Sequence, residues 1–366
     1  MSGSTNMHNP TVSILTPSYN HEKYVSCFIN SLLSQTNPDW ELIIVDDCSS
    51  DNTLKEIKKY NDSRIKLIEH KYNQGINAAL NSAFRASKGQ YIAFCASDDI
   101  LEAGYVDDII QIMQSKPQVG TIYYTLQCMD IDGNIIKDKI LKSLQPDKYK
   151  ALHHCFYLGN CFVSPGMCFR RELFEQIYPL HLSLSQYQDY KLHIELLLRS
   201  EIYLSDKILI KYRLPSIQSG ISFLSNKTKK QMQLEENLLM DSFLQIKDVS
   251  TLEKIFADDI QPYGDISADF IPYILGDLAL NSPCQYKQIW GYNQISRFLN
   301  TEDNYNQLNQ KYGFCYKDFL NLSNHFLKND KQELFRIKYK KYQKLFNFMI
   351  SFSLLCFILM IIAFFR

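Results

Sequence analysis

Two pairs of adjacent carboxylates have the residue types and placement to do chemistry. Asp46 and Asp47 follow the apolar run "LIIV" in "ELIIVDDCSSDNT", and Asp98 and Asp99 follow "YIAFCAS" in "GQYIAFCASDDI". Four carboxylates brought together repel one another unless a cation or hydrogen-bond donors accept them. A divalent metal and a ligand rich in N–H and O–H groups meet that need. A nucleotide sugar is such a ligand: its base and ribose supply donors, and its diphosphate takes Mg²⁺ or Mn²⁺ held by one or two carboxylates plus phosphate oxygens. Tyr19, in "TPSYN" after a third apolar run, offers a flat face for a base. A single Asp pair in a turn caps backbone with no ligand at all; its recurrence at a second strand end points to a site.

Those side chains need elements to position them. From Val12 to Tyr124 the short apolar runs "VSILT", "LIIV", "IKLIE", "YIAFCA" and "VGTIYY" alternate with segments of helical spacing. That order predicts an α/β fold with a mostly parallel sheet flanked by helices. Ligands of such sheets bind beyond the carboxyl ends of the strands, where the two Asp pairs and Tyr19 then converge. Tyr24, Val25, Phe28, Ile29, Leu32 and Leu33 mark one covering helix, and Ile76, Ala79, Leu80, Ala83 and Phe84 another. "MDIDGNI" predicts a hairpin with Asp132 and Gly133 in its turn. Three regions are expected: a catalytic α/β domain over 1–224, a helical accessory region over 225–344, and a membrane segment over 345–366.

The chain has 366 residues, 46% of them hydrophobic, enough for a substantial core, and its 39 basic residues balance 39 acidic ones. That balance argues against a surface adapted to nucleic acid. The ten cysteines are scattered without a CxxC pair, which predicts free thiols packed as small apolar groups in a reducing compartment. No apolar stretch occupies the first eleven residues, so the amino-terminal part is expected in the cytosol. Residues 346–365 carry no charge, and at a rise of about 1.5 Å per residue they match the ~30 Å hydrocarbon core of a bilayer. Arg336, Lys338, Lys340, Lys341 and Lys344 precede this stretch. By the positive-inside rule they predict a membrane helix with the long amino-terminal side on the cytosolic face.

The combination "VSILTPSYN", "SLLSQTNPDWELIIVDDCSSDNT", "NQGINAALNSAF" and "GQYIAFCASDDI" resembles the family-2 glycosyltransferases of the GT-A fold, Rossmann-like in its sheet, and in particular the spore-coat type, over about residues 12–222. The resemblance implies inverting transfer of one sugar from a nucleoside diphosphate, UDP preferred, to a hydroxyl of an envelope or lipid-linked glycan. By the same resemblance Pro17 and Tyr19 border the base, Asp47 contacts it, Asp98 faces the ribose, and Asp99 ligates Mn²⁺ or Mg²⁺. Inversion needs a general base for the acceptor proton, and Asp189 in "LSQYQDYKLHIELLL" stands where the family carries one, with Glu195 as fallback. Gly166, before an apolar strand in "VSPGMCFRRELF", resembles the acceptor-side loop, with a turn glycine the other reading, and Arg213 is a phosphate candidate, with a solvated or structural arginine the other reading.

Two positions depart from the family pattern. Leu80 stands where relatives often have Arg, and Pro215 and Ser216 stand where some carry a His near the metal. A catalytically silent, membrane-tethered nucleotide-sugar-binding protein is the rival reading those losses motivate. No glycine-rich loop follows a strand, which disfavours nucleotidyltransferases and dinucleotide oxidoreductases, and no QxxRW motif of processive synthases is present.

Overall fold

A computed structural model describes residues 9–214 and 225–326. The chain divides into two compact units, Met1–Ile271 and Pro272–Arg366. The membrane segment expected over 345–366 lies outside the described residues, as do Pro215 and Ser216. Among the described residues no helix is long and apolar enough to cross a membrane.

The first unit opens with strictly alternating elements: β1 (Val12–Ser18), α1 (Val25–Leu33), β2 (Trp40–Asp46), α2 (Thr53–Ile57), β3 (Ile65–Glu69), α3 (Ile76–Ala86) and β4 (Tyr91–Phe94). β3, β2, β1 and β4 lie side by side and parallel. Because successive side chains of a strand point to opposite faces, Ile14, Leu42 and Ile44 join Val25, Phe28, Ile29 and Leu32 of α1 in one core. Leu15, Ile43 and Val45 face the other way and are equally buried, on the side where α3 packs on β1 and β2. Both faces are covered, which is why these strands read as unbroken apolar runs.

Beyond β4 the expectation of a mostly parallel sheet gives way to a mixed one. The chain continues through β5 (Ile100–Leu101), α4 (Tyr105–Ser115), β6 (Val119–Met129), β7 (Ile135–Leu141), α5 (Lys148–Tyr157), β8 (Cys168–Arg170), α6 (Arg171–Ile177), α7 (Gln188–Arg199) and β9 (Glu201–Arg213). β8 inserts antiparallel between β4 and β6, β9 runs parallel to β6, and β5 pairs antiparallel with the end of β9. The three-residue β8 is too short to carry a signal of direction, yet it turns the sheet from its parallel to its mixed half. β6 and β7 form the expected hairpin, with Gly133 at φ +90 in its turn, a left-handed conformation that favours glycine.

Helices α8 (Asn226–Met240) and α9 (Val249–Phe256) complete this unit, which therefore runs past residue 224. Of the nine described cysteines, five are buried and all are free. The second unit is helical through its described residues: α10 (Ile271–Leu280), α11 (Gln285–Phe298), α12 (Glu302–Tyr312) and α13 (Tyr316–Asn321). α10 and α11 approach through Gly276 and Gly291, where a Cβ on Gly291 would stand 2.4 Å from the Gly276 carbonyl oxygen. Gly291→Ala is expected to lower the thermal transition: overpacking costs about 1–3 kcal/mol, more than the ~1 kcal/mol alanine gains in helix propensity. A raised transition in a calorimetric melt would contradict the contact.

Candidate functional site

The ends of β1, β2 and β4 meet at one rim. Asp47 N–H donates to the Ser18 carbonyl and Cys95 N–H to the Leu15 carbonyl, and the Ser97 hydroxyl donates to Ser18 Oγ at 3.0 Å. The loop after β1 turns at Asn20, φ +55. Asparagine tolerates that conformation, and its Oδ1 accepts the Ser50 N–H while its own N–H donates to Ser49 Oγ. The loops that follow β1 and β2 are thereby tied to each other. Pro17 sits inside β1 opposite Val45, and Tyr19 is 45% exposed, its ring open at the rim.

The four carboxylates differ in their partners. Asp46 is buried beneath the rim, with Oδ2 accepting the Ser49 N–H and Oδ1, like one oxygen of Asp99, without a partner. Asp47, also buried, accepts from the Gln74 N–H and His70 Nδ1 on Oδ1 and from the Gly75 N–H on Oδ2, so it braces the loop that leads into α3. Asp98 is part-exposed, and its Oδ2 lies 4.0 Å from His21 Nε2. Asp99 is 1% exposed; its Oδ1 accepts the Arg213 N–H at 2.9 Å, whereas Oδ2 has no partner. Burial, then the neighbouring Asp98 charge, raises its pKa well above the ordinary carboxylate range, against the pull of the Arg213 amide and guanidinium. A buried carboxylate oxygen without a donor is costly, and a divalent cation is the partner that would let it ionise. Among the described residues no group of three or more His, Cys, Asp or Glu side chains is placed to hold an ion, so Asp99 Oδ2 is a single open acceptor at the rim.

Arg213 departs from its expected role as a phosphate ligand. It is 5% exposed, and Nε donates to the Asp98 carbonyl while Nη1 donates to the carbonyls of Asp130 and Ile131. Its guanidinium lies 4.5 Å from the centre of the Tyr24 ring. It is a strut beneath the acidic loop. Gly166 likewise has a structural cause: φ is +71, and a Cβ there would stand 2.2 Å from Ile210 Cδ1.

Asp189 lies in the first turn of α7, where the helix dipole favours a negative charge. Its Oδ2 accepts from the Ser164 hydroxyl at 2.9 Å, which joins it to the loop that contains Gly166. Glu195, the fallback base, is spent on structure. Lys191, Ser242, Arg199 and Gln245 all donate to it. Burial raises its pKa, but Lys191 and these hydrogen bonds outweigh that and bring it below the ordinary value. Leu80 is core, packed on the covered face of α3.

Four contributors escaped the sequence reading: His21, His70, Ser164 and His193. His70 had a readable signal, because the β2–β3 register pairs Asp46 with Glu69 and so sets Asp47 beside His70. His193 had one too, four residues after Asp189 on the same helix face. His21 and Ser164 act from loops, whose course no periodicity reveals.

The description "Glycosyl transferase family 2" matches residues 13–178. UDP-Glc:α-D-GlcNAc-diphosphoundecaprenol β-1,3-glucosyltransferase WfgD of Escherichia coli is 38% identical over 149 residues, 41% of this chain and 58% of that protein. The putative teichuronic acid biosynthesis glycosyltransferase TuaG of Bacillus subtilis is 38% identical over 109 residues, 29% of this chain and 43% of that one. An uncharacterized glycosyltransferase of Rickettsia prowazekii is 30% identical over 242 residues, 63% of this chain and 70% of that one. The chain spans about half the length of WfgD and TuaG. Among solved structures, S. aureus TarS 1–349 in complex with UDP-GlcNAc superposes with a TM-score of 0.54 at 18% identity, over 81% of this chain and 92% of that one. At that identity the likeness is one of fold.

The start of α7 depends on a residue from α8. Glu235, 2% exposed, accepts the N–H groups of Ser185, Gln186 and Tyr187 and the Ser185 hydroxyl. Burial pushes its pKa up, and those donors with Gln231 bring it below the ordinary value. A depressed folded pKa stabilises above the unfolded value, about 4.3, and that stabilisation is lost as pH falls through the folded value. Glu235→Gln is expected to cost about 2 kcal/mol at pH 7 in denaturant unfolding, with the difference from wild type shrinking below about pH 4. A difference constant from pH 7 to pH 3 would refute the charge-based account.

Proposed function

The chain belongs to glycosyl transferase family 2, and from that premise we propose that it moves one sugar, with inversion, from a UDP-sugar to a hydroxyl of an envelope or lipid-linked glycan. The observation that carries this reading is Asp99, a buried carboxylate with one unpartnered oxygen at a rim where Tyr19, Asp98 and Asp47 also stand. WfgD, named for a UDP-glucose donor and a diphosphoundecaprenol acceptor, supports the choice of donor and of acceptor class.

Each residue has a role in that reaction. Tyr19, beside Pro17, covers one face of the base, and Asp47 Oδ2, which carries one donor where Oδ1 carries two, accepts a base N–H. Asp98 accepts the ribose hydroxyls, with His21 Nε2 4.0 Å from its Oδ2. Asp99 Oδ2 would hold Mn²⁺ or Mg²⁺, which when bound neutralises charge on the diphosphate as its bond to the sugar breaks. Asp189 takes the proton of the acceptor hydroxyl as that oxygen bonds to the anomeric carbon and UDP departs. The Gly166 loop, joined to Asp189 through Ser164, borders the acceptor. Residues 345–366 anchor this machinery to the cytosolic face of a membrane, with the lysines before them against anionic headgroups.

Titration calorimetry of UDP with and without Mn²⁺ tests the donor site. UDP is expected to bind more tightly with the ion, and Asp99→Asn to lose that gain, while GDP binds at least tenfold more weakly. Metal-independent binding would refute the role given to Asp99, and no binding of UDP would refute both transfer from a UDP-sugar and the silent nucleotide-sugar-binding protein. Deletion of 346–366 is expected to release the protein from membrane fractions with UDP affinity unchanged; retention on the membrane would refute the anchor.

A further inference from the structure

Asp189 stands at the end of a file of polar groups that its role as base does not by itself require. Ser164 Oγ is 2.9 Å from Asp189 Oδ2 and 3.0 Å from His193 Nε2, and His193 Nδ1 is 2.9 Å from the Tyr123 hydroxyl. Three elements meet there: the loop before β8, helix α7 and strand β6. His193 and Tyr123 are 0% and 1% exposed. Phe162 stacks on the Tyr123 ring at 4.5 Å and lies 5.4 Å from His193.

Proton counting leaves one arrangement. A carboxylate only accepts, and a serine hydroxyl has a single proton, so Ser164 donates to Asp189 and must accept from His193 Nε2–H. Burial, opposed by the Asp189 charge, brings the His193 pKa down to about 4, so the ring is neutral and carries one N–H. Its Nδ1 then accepts from Tyr123, whose phenol burial keeps protonated. Every donor points the same way, toward Asp189.

We propose that Tyr123, His193 and Ser164 are positioning residues that fix the orientation of the Asp189 carboxylate for proton removal, an inference that rests on Asp189 being the base. Packing alone does not call for this file. A leucine at 193 would fill the space between Phe162 and Tyr123 without burying polar atoms, which cost stability unless paired. The Tyr190 N–H already donates to Asp189 Oδ1 at 2.7 Å; what the file adds is a directed donor on Oδ2, so that both oxygens are held and the remaining lone pairs keep a set direction. Small misplacements of a base are expensive in rate.

The test uses the full chain, with Mn²⁺ and water as acceptor, and follows UDP release from UDP-glucose and from UDP-GlcNAc. Alongside it, ¹⁵N-histidine NMR at pH 7 reads the His193 tautomer. Wild type is expected to show His193 protonated at Nε2 only. Asp189→Asn is expected to abolish turnover. Ser164→Ala is expected to lower kcat about tenfold or more with KM within about twofold, and Ser164→Thr, which restores the hydroxyl, to recover most of it. Ser164→Ala at wild-type kcat, with Asp189→Asn inactive, would overturn the positioning role and leave the base reading intact. Full turnover in Asp189→Asn would overturn the base reading and this inference with it. His193 protonated at Nδ1, or charged, would overturn the file whether or not either sugar nucleotide is turned over.

Discussion

The last residue of β9 holds the rim together. Arg213 gives its N–H to Asp99, its Nε to the Asp98 carbonyl and its Nη1 to two carbonyls of the β6–β7 turn, and its guanidinium rests on Tyr24 just before α1. A buried guanidinium is tolerated only where its donors find acceptors. Here those acceptors belong to the acidic loop and the hairpin turn, so the cation and the site need each other. The register explains how it arrives: β9 runs parallel to β6 with Arg213 opposite Met129, while β5 pairs back on Lys211 and Ile210. The mixed half of the sheet is therefore what delivers a positive charge to the strand ends of the parallel half. Arg213 satisfies one oxygen of Asp99 and leaves the other. That remainder is an acceptor without a donor at the rim.

Counting donors sorts the acids of this chain better than residue type does. Glu195 has four side-chain donors and Asp47 three donors of mixed kind. Acids so satisfied hold elements in place, because removing them strands their buried donors. Asp99 with a bare oxygen, and the part-exposed Asp98 and Asp189, keep acceptor capacity for something else. The zero net charge of the chain conceals this division entirely.

The parallel half was legible because its signals are periodic: apolar runs at strand length, helical stripes between them, an acidic pair at each rim. The apolar strand after Gly166 was readable too, but its antiparallel place between β4 and β6, and with it the change to a mixed sheet, was not, since three residues carry no signal of direction. The hairpin was readable from Asp132 and Gly133, whose chemistry fixes a turn locally. Arg213 was open to two readings, phosphate ligand or structural arginine, for a physical reason. An arginine near acidic residues looks like an anion ligand, and only the folded chain shows that its donors are already bound to carbonyls. Gly166 likewise read as either an acceptor-side loop residue or a turn glycine, and its φ of +71 and the room its missing Cβ leaves for Ile210 give it a structural cause.

Helix α7 shows why the helical stretch after residue 224 belongs with the site. Glu235 of α8 gathers the N–H groups at the start of α7, and Glu195, further along α7, draws in Ser242 and Gln245 from the turn that follows α8. One buried acid reaches in from the later segment and another reaches out to it. Between these two clamps lie Asp189 and His193, a turn apart on the same face. A helix end frays unless its exposed N–H groups are met, and a base carried on the first turn inherits that looseness. Glu235 holds the bend that enters the helix, Ser185 to Tyr187, from outside, and the side-chain file meets Asp189 from Ser164. The α8 segment is thus part of what makes the first turn of α7 a usable place for a base.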